Sequence, residues 1–335
     1  MNNKKLVIFI LLIIVLAVFT NIKQGQLFAL LNPTQTNFTT HVEGDRFPLI
    51  LHDPSGIQYT LAAPPQRLIS TTLATDHILS DLVHQQRLVG VSSYVDYPSL
   101  SNIVDFYDPS IIRAQTEIES ILSRQPDLVF VASYSNPETV RYLLRTDIAV
   151  VRLSEFNTFN DIINNIELVA AVTDSQSQAN SIIKDLRARL SFIKQQVSTL
   201  QKPRVLYYDL NGYSVGGNAL MDEAINISGG INVAQGQIPD GEHKISEELA
   251  ISLQPDVIIM NDWVFNQSQG QASPADILIN KKAWANVPAV LNKQVYAVPG
   301  TWLRSVSQHR IKGVEAIASI LHPNISQYDE NNHAQ

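Results

Sequence analysis

Between Phe159 and Leu200 the chain runs without a single glycine or proline, and that stretch dictates much of what the rest can become. Helix formers fill it, so it predicts helix. Within it Ala179, Ile182, Ile183, Leu186, Leu190, Ile193 and Val197 recur at spacings of three and four around one adjacent pair, which draws an apolar stripe along a long helix. A stripe of this kind is a packing surface, and the expectation is a brace with a folded unit on either side. Short apolar runs, alternating with segments of helical period, flank it as an α/β pattern with mostly parallel sheets would require. The candidate strands before the brace are Arg67–Ser70, Leu88–Val91, Leu128–Ala132 and Ala149–Leu153; those after it are Val205–Asp209, Val257–Asn261 and Val295–Val298. Pro203 marks the start of the second group.

The two groups carry a weak internal repeat. Gln125-Pro-Asp-Leu-Val-Phe130 and Gln254-Pro-Asp-Val-Ile-Ile259 each lead into a strand, and a glutamate stands seven residues before each proline, Glu119 and Glu248. From composition alone Gln-Pro-Asp is a turn that ends a helix, and the glutamates are solvated helix residues.

Ahead of the body, Lys4 and Lys5 precede an unbroken apolar run from Leu6 to Phe19. The run is shorter than the ~20 residues of a comfortable membrane span. Residues 1–20 therefore read as an export signal, or as an uncleaved anchor given the poor cleavage candidates at Ala17 and Ala29. Residues 21–46 are polar and read as a flexible tether. From Phe47, two extended runs around Asp53-Pro-Ser-Gly56 predict a hairpin. The expected organisation is a first lobe over 47–158, a helical connector over 159–200, a second lobe over 201–325 and a disordered tail over 326–335. The 335 residues contain no cysteine, which removes disulfides, thiolate metal sites and a lipid-modified cysteine from consideration. A net charge of −7 offers no basic footprint, so nucleic acid is not an expected partner.

Taken together these segments resemble the periplasmic binding proteins for cobalamin and ferric siderophores, whose two Rossmann-like lobes are joined by one long rigid helix. The resemblance covers about Phe47 to Pro323. It rests on Pro64-Pro-Gln-Arg-Leu-Ile-Ser70, on Arg87-Leu-Val-Gly-Val-Ser-Ser-Tyr-Val-Asp-Tyr-Pro98, on both glutamate-to-Pro-Asp units and on the Gly217–Ala234 segment with its Gly-Gly pair. It implies a monomer that delivers a small ligand to an ABC permease dimer with its ATPase, with no cofactor and no catalysis. Glu119 and Glu248 stand where this family's glutamates form salt bridges with permease arginines, a pairing that fixes orientation through charge-assisted hydrogen bonds.

The ligand contacts implied lie on loops at the carboxyl ends of strands. These are Tyr94, Asp96 and Tyr97 after the second strand, Tyr134 after the third, Tyr213 in the second lobe, and Trp263, Trp302 and Arg304 after later strands. Flat aromatic faces suit a macrocycle or chelate, and ordinary packing is the alternative for each. The Ser92–Pro98 loop resembles cobalamin binders, whose tyrosine lies against the corrin; Arg304 suits a carboxylate or an anionic siderophore. The sequence departs from the family in lobe one, where Ser70-Thr-Thr-Leu-Ala-Thr-Asp-His77 lacks the usual proline and has Asp76 in place of glutamate.

Three rivals stay open. One is a receptor of the same architecture for haem, or for free zinc or manganese, the last two recruiting His77, His243, His309 and Asp262. A tethered interaction protein would keep the fold without a ligand. An enzyme would need a nucleophile elbow, a phosphate loop, a His-Glu-x-x-His or a dinucleotide fingerprint, and the sequence carries none of them.

Overall fold

The computed structural model describes residues 39–114, 118–262 and 272–329. The expected export segment, most of the tether and the end of the tail lie outside them. Among the described residues no helix is long and apolar enough to cross a membrane.

The chain enters through a three-stranded antiparallel sheet of β1 (His41–Glu43), β2 (Leu49–His52) and β3 (Gln58–Leu61). The expected hairpin is therefore the inner part of a larger sheet, and the body starts ahead of Phe47. Thr40 explains the earlier start, since its N–H donates to Arg152 O and its hydroxyl accepts from Arg152 N. These bonds fasten the entering chain to the edge of the first lobe.

That lobe is built on β4 (Leu68–Ser70), β5 (Leu88–Ser92), β6 (Ile112–Ala114), β7 (Leu128–Ala132) and β8 (Ala149–Leu153), all parallel, in the order β6-β5-β4-β7-β8. Helices α1 (Leu73–Leu82), α2 (Ile118–Leu122) and α3 (Pro137–Leu143) connect them. All five residues of β7 are buried, as expected of a central strand covered on both faces.

The glycine- and proline-free stretch forms two helices, α4 (Phe159–Thr173) and α5 (Gln176–Val197). Asp174 separates them in the left-handed conformation at φ 58°, a role usually marked by glycine. The long connector of the expectation is α5. Its predicted stripe is buried at Ala179, Ile183, Leu186, Leu190, Ile193 and Val197, with Ile182 half-buried. The stripe packs on α1 of lobe one and on α6 (Leu220–Ile227) and α11 (Arg310–Leu321) of lobe two, so one rigid rod is shared by both cores. Arg189 of α5 adds two bonds to Glu315 of α11, at 2.8 and 2.7 Å. Beneath the end of α5, Gly229 has φ +79°, and a Cβ there would come within 2.8 Å of Val197 Cβ; only glycine fits the turn.

Lobe two holds β9 (Arg204–Tyr207), β11 (Ile231–Asn232), β13 (Val257–Asn261) and β14 (Val295–Val298), parallel in the order β11-β9-β13-β14. Beside it lies an antiparallel ribbon of β10 (Tyr213–Val215) and β12 (Glu242–Lys244). The remaining helices are α7 (Glu247–Ser252), α8 (Pro274–Ile279), α9 (Pro288–Leu291) and α10 (Gly300–Leu303). Two parallel-sheet lobes joined by a long helix are thus the architecture the sequence predicts. The tail continues in contact with the body at least to Tyr328, whose ring meets Phe192 of α5 edge-on at 5.6 Å; the expected disordered tail starts too early.

The internal repeat has a mechanical basis. In lobe one Asp127 accepts from the N–H groups of Gln66 and Arg67, and the Arg67 guanidinium donates to the carbonyls of Arg124 and Gln125. In lobe two Asp256 accepts from Arg204 N, and Arg204 donates to Leu253 O. Gln125 and Gln254 both take positive φ, 48° and 46°, ending their helices. The Gln-Pro-Asp turn therefore locks a helix end to the first strand of each lobe, and its helix carries one of the two glutamates.

Candidate ligand-binding site

In each sheet the chain leaves the first strand in one direction and later returns on its other side. The resulting switch points lie between β4 and β7 and between β9 and β13, and a ligand cleft opens beyond the carboxyl ends of such strands. Tyr134 stands at the switch point of lobe one. It is 60% exposed, and its ring meets Phe156 at 5.5 Å.

On the other side of β4, the turn after β5 presents Tyr94 and Tyr97, 51% and 54% exposed, with ring centroids 6.3 Å apart and planes tilted by 47°. Such exposure is unusual for two large apolar rings on one short turn. The turn is held from below. Val95 is buried, and Ser92 N–H and hydroxyl both bond the carboxyl group of Asp76. Asp76 has no exposed surface, and that burial pushes its carboxyl up to about 7 against the opposing pull of the Ser70 and Ser92 bonds and Arg113. Asp96 is engaged at two points by Arg113, at 2.7 and 2.9 Å. The structure therefore places Asp96 as a support of the tyrosine turn, with its carboxylate turned to Arg113.

At the switch point of lobe two, the Tyr207 hydroxyl accepts from Asn261 Nδ2 at 2.9 Å, and Arg304 lies on the same cavity as Tyr207. Arg304 also meets Glu242 at 3.4 Å. Tyr207, Arg304 and Glu242 line a cavity of about 250 Å³ together with Met221, Val306, Arg310 and, from lobe one, Asn157. Trp302, two residues before Arg304, lies instead in a groove of about 330 Å³ with Arg189, Phe192 and Tyr328. Two positions along a helical turn point to different sides, so the pair expected to act together is divided. Tyr213 pairs with Lys244 at the opposite end of its ribbon from Val215 and Glu242, which border the cavity. Trp263 lies outside the described residues.

The lobes close on each other behind the cleft. His77 and His309 meet edge-on at 4.9 Å. His77 Nδ1 contacts Ser307 Oγ at 3.2 Å, and Asn102 N–H donates to His77 Nε2 at 3.2 Å. Gln308 donates to His77 O and to Asp81, and Asn102 donates to Thr301 O. Burial drives His77 down to about 3 and His309 to about 4. The histidines proposed for a metal receptor are thus interlobe packing groups, and His243 bonds Asp240 O elsewhere. Among the described residues no group of three or more His, Asp or Glu is arranged to hold a metal ion.

Glu119 and Glu248 both occupy the first turn of their helices, α2 and α7, and both are exposed. Their helices run back toward the amino ends of β7 and β13, which puts both glutamates toward the cleft side of their lobes. The neighbour Glu247 is consumed by Lys281 and the Trp284 indole, each at 2.8 Å, and this anchors the start of α7 and leaves Glu248 facing outward. Sequence reasoning missed Tyr207, Glu242 and Arg310 at the cavity. No motif marks them, because strand, ribbon and helix converge there only in three dimensions.

The chain matches the family described as periplasmic binding protein over residues 68–301. It is 22% identical over 286 residues to an uncharacterized ABC transporter substrate-binding lipoprotein, YvrC, of Bacillus subtilis, covering 83% of this chain and 86% of that protein. It is 27% identical over 264 residues to a cobalamin-binding protein of Halobacterium salinarum, covering 75% and 70%. Among solved structures, an ABC-type Fe3+-hydroxamate transport protein of Saccharomonospora viridis superposes with a TM-score of 0.64 at 19% identity, covering 83% of this chain and all of that one.

Proposed function

Because the chain belongs to the periplasmic binding protein family, and is a binding protein rather than an enzyme, we propose that it captures a corrinoid or a ferric siderophore between its lobes. It works outside the cytoplasmic membrane and hands the ligand to an ABC permease. The observation that carries this reading is the exposed Tyr94–Tyr97 turn, held rigid from beneath by Asp76 and by the Asp96–Arg113 pair. Two tilted rings on a fixed support give a broad flat ligand a preformed platform, and preorganisation lowers the cost of binding. Tyr134 extends the platform across the switch point.

Glu119 and Glu248 supply the docking contacts in this reading. Each is carried by a helix whose far end is clamped to its own lobe, and the lobes share α5. The two carboxylates are held at a fixed separation, as recognition of two arginines on a symmetric permease requires. Because the joint is a packed helix, delivery involves only small rotations of the lobes.

Visible spectra test the ligand class. After incubation with cobalamin, a ferric hydroxamate or haem and removal of free ligand, the protein is expected to retain cobalamin or the ferric hydroxamate in a one-to-one ratio. Retention of haem alone, or of none of the three, contradicts the proposal.

A further inference from the structure

Arg310, the first residue of α11, is 2% exposed. A buried guanidinium is ordinarily matched by a carboxylate. Here the contact it makes is a weak one, from an Nη to Met221 Sδ at 3.6 Å. Its Nε is buried without a hydrogen-bond partner, and among the described residues no acid forms an ion pair with it. Burial lowers the guanidinium to about 10, opposed by Tyr207 and reinforced by Arg304, and it stays protonated at neutral pH. A cation buried in this way is costly on its own.

The unmatched charge faces the cavity of lobe two. Arg304 lies on the rim with Tyr207 behind it, and the amino end of the twelve-residue helix α11 adds its positive dipole end. One acid, Glu242, is also on the rim, paired with Arg304. The charged side chains lining the cavity are therefore two cations and one anion, and Glu242 is half-exposed.

We infer that the captured ligand carries a compact oxyanion, a carboxylate or phosphate, which enters this cavity and pairs with Arg310 and Arg304. The inference rests on the capture reading above and narrows its ligand class. Arg310 supplies the fork of donors and Arg304 closes it from outside, an arrangement suited to a bidentate anion. Apolar Leu220, Met221 and Val306 also line the cavity, so the pairing with the buried Arg310 is shielded from water and therefore strong.

The test titrates the full chain with inorganic phosphate, with cobalamin, whose nucleotide arm contains a phosphodiester, and with a neutral ferric trihydroxamate. Arg310→Gln and Arg310→Lys are compared with wild type. The expected result is a phosphate-dependent rise in wild-type melting temperature that Arg310→Gln abolishes. Cobalamin affinity should fall at least tenfold in Arg310→Gln, recover partly in Arg310→Lys, and be competed by phosphate. If phosphate acts through Arg310 while cobalamin fails to bind, the oxyanion site stands and the corrinoid assignment falls. If either large ligand binds equally to wild type and Arg310→Gln and phosphate has no effect, the inference is overturned while capture stands. Should Arg310→Gln not fold, Val306→Glu places a tethered carboxylate in the cavity. A raised melting temperature with lost cobalamin binding is then expected, and unchanged binding contradicts the site.

Discussion

A carboxyl group without exposed surface sits under the tyrosine turn at position 76, and its protonation follows from where it is placed. Burial raises Asp76 to about 7, so the native state holds a proton that the unfolded chain releases above its ordinary value near 4. Stability from this group is fully present at low pH and is lost as pH rises toward 7. Asp76→Asn is neutral throughout and can still bond Ser92. Relative to wild type it should gain a few kcal/mol in urea unfolding between about pH 4 and pH 7, with no further change above. A difference that does not vary with pH would show that the carboxyl is charged in the native protein. In the sequence Asp76 appears only as a departure from the family's usual glutamate. Its part in supporting the turn after β5 depends on a contact with Ser92 that no spacing reveals. Tyr94, Tyr97 and Tyr134 were legible because each follows a strongly apolar strand. The engagement of Asp96 by Arg113 was not, since β6, which carries Arg113, is three residues long and half-buried.

Strands made of an unbroken apolar run announce themselves. Leu128–Ala132 and Val257–Asn261, buried throughout, and Ala149–Leu153 and Val295–Val298, buried in part, have the same bounds in sequence reading and in structure. Short edge strands such as β1, β6, β10, β11 and β12 contain two or three residues and no readable alternation, because pairing with a neighbour rather than their own composition makes them strands. The break between α4 and α5 escaped for a related reason, since an aspartate takes the left-handed position that glycine would have advertised. The contact between α1 and the segment leading into α11 is likewise a tertiary product. There His77 is held near 3 by burial, so the unfolded chain takes up a proton below about 6.5 that the native protein refuses. Stability from His77 is complete above that pH and lost as pH falls. Wild type should lose about 2 kcal/mol through this group on going from pH 7.5 to pH 5. His77→Asn should remove that loss in chemical denaturation. An unchanged pH dependence would mean that the imidazole reaches water.

The molecule as a whole combines a stiff rod and two clamped lobes, with exposed tyrosines on one lobe and an arginine-lined cavity on the other. Stiffness suits a protein that must present ligand and docking groups together. The double change Glu119→Ala, Glu248→Ala should abolish uptake in cells carrying the importer while leaving ligand affinity within about twofold of wild type, since neither residue touches the cleft walls. Uptake at the wild-type rate would remove the docking role. Capture on the tyrosine platform is the claim on which the rest depends, and calorimetric titration tests it most directly. Cobalamin and a ferric hydroxamate are titrated into wild type and into Tyr94→Ala, Tyr97→Ala, with folding verified by thermal melting. Tight one-to-one binding of one of them by wild type is expected, with a loss of at least ~2 kcal/mol, some thirtyfold, in the double variant. Equal affinity of the two proteins for the ligand, or no heat with either ligand, would contradict it.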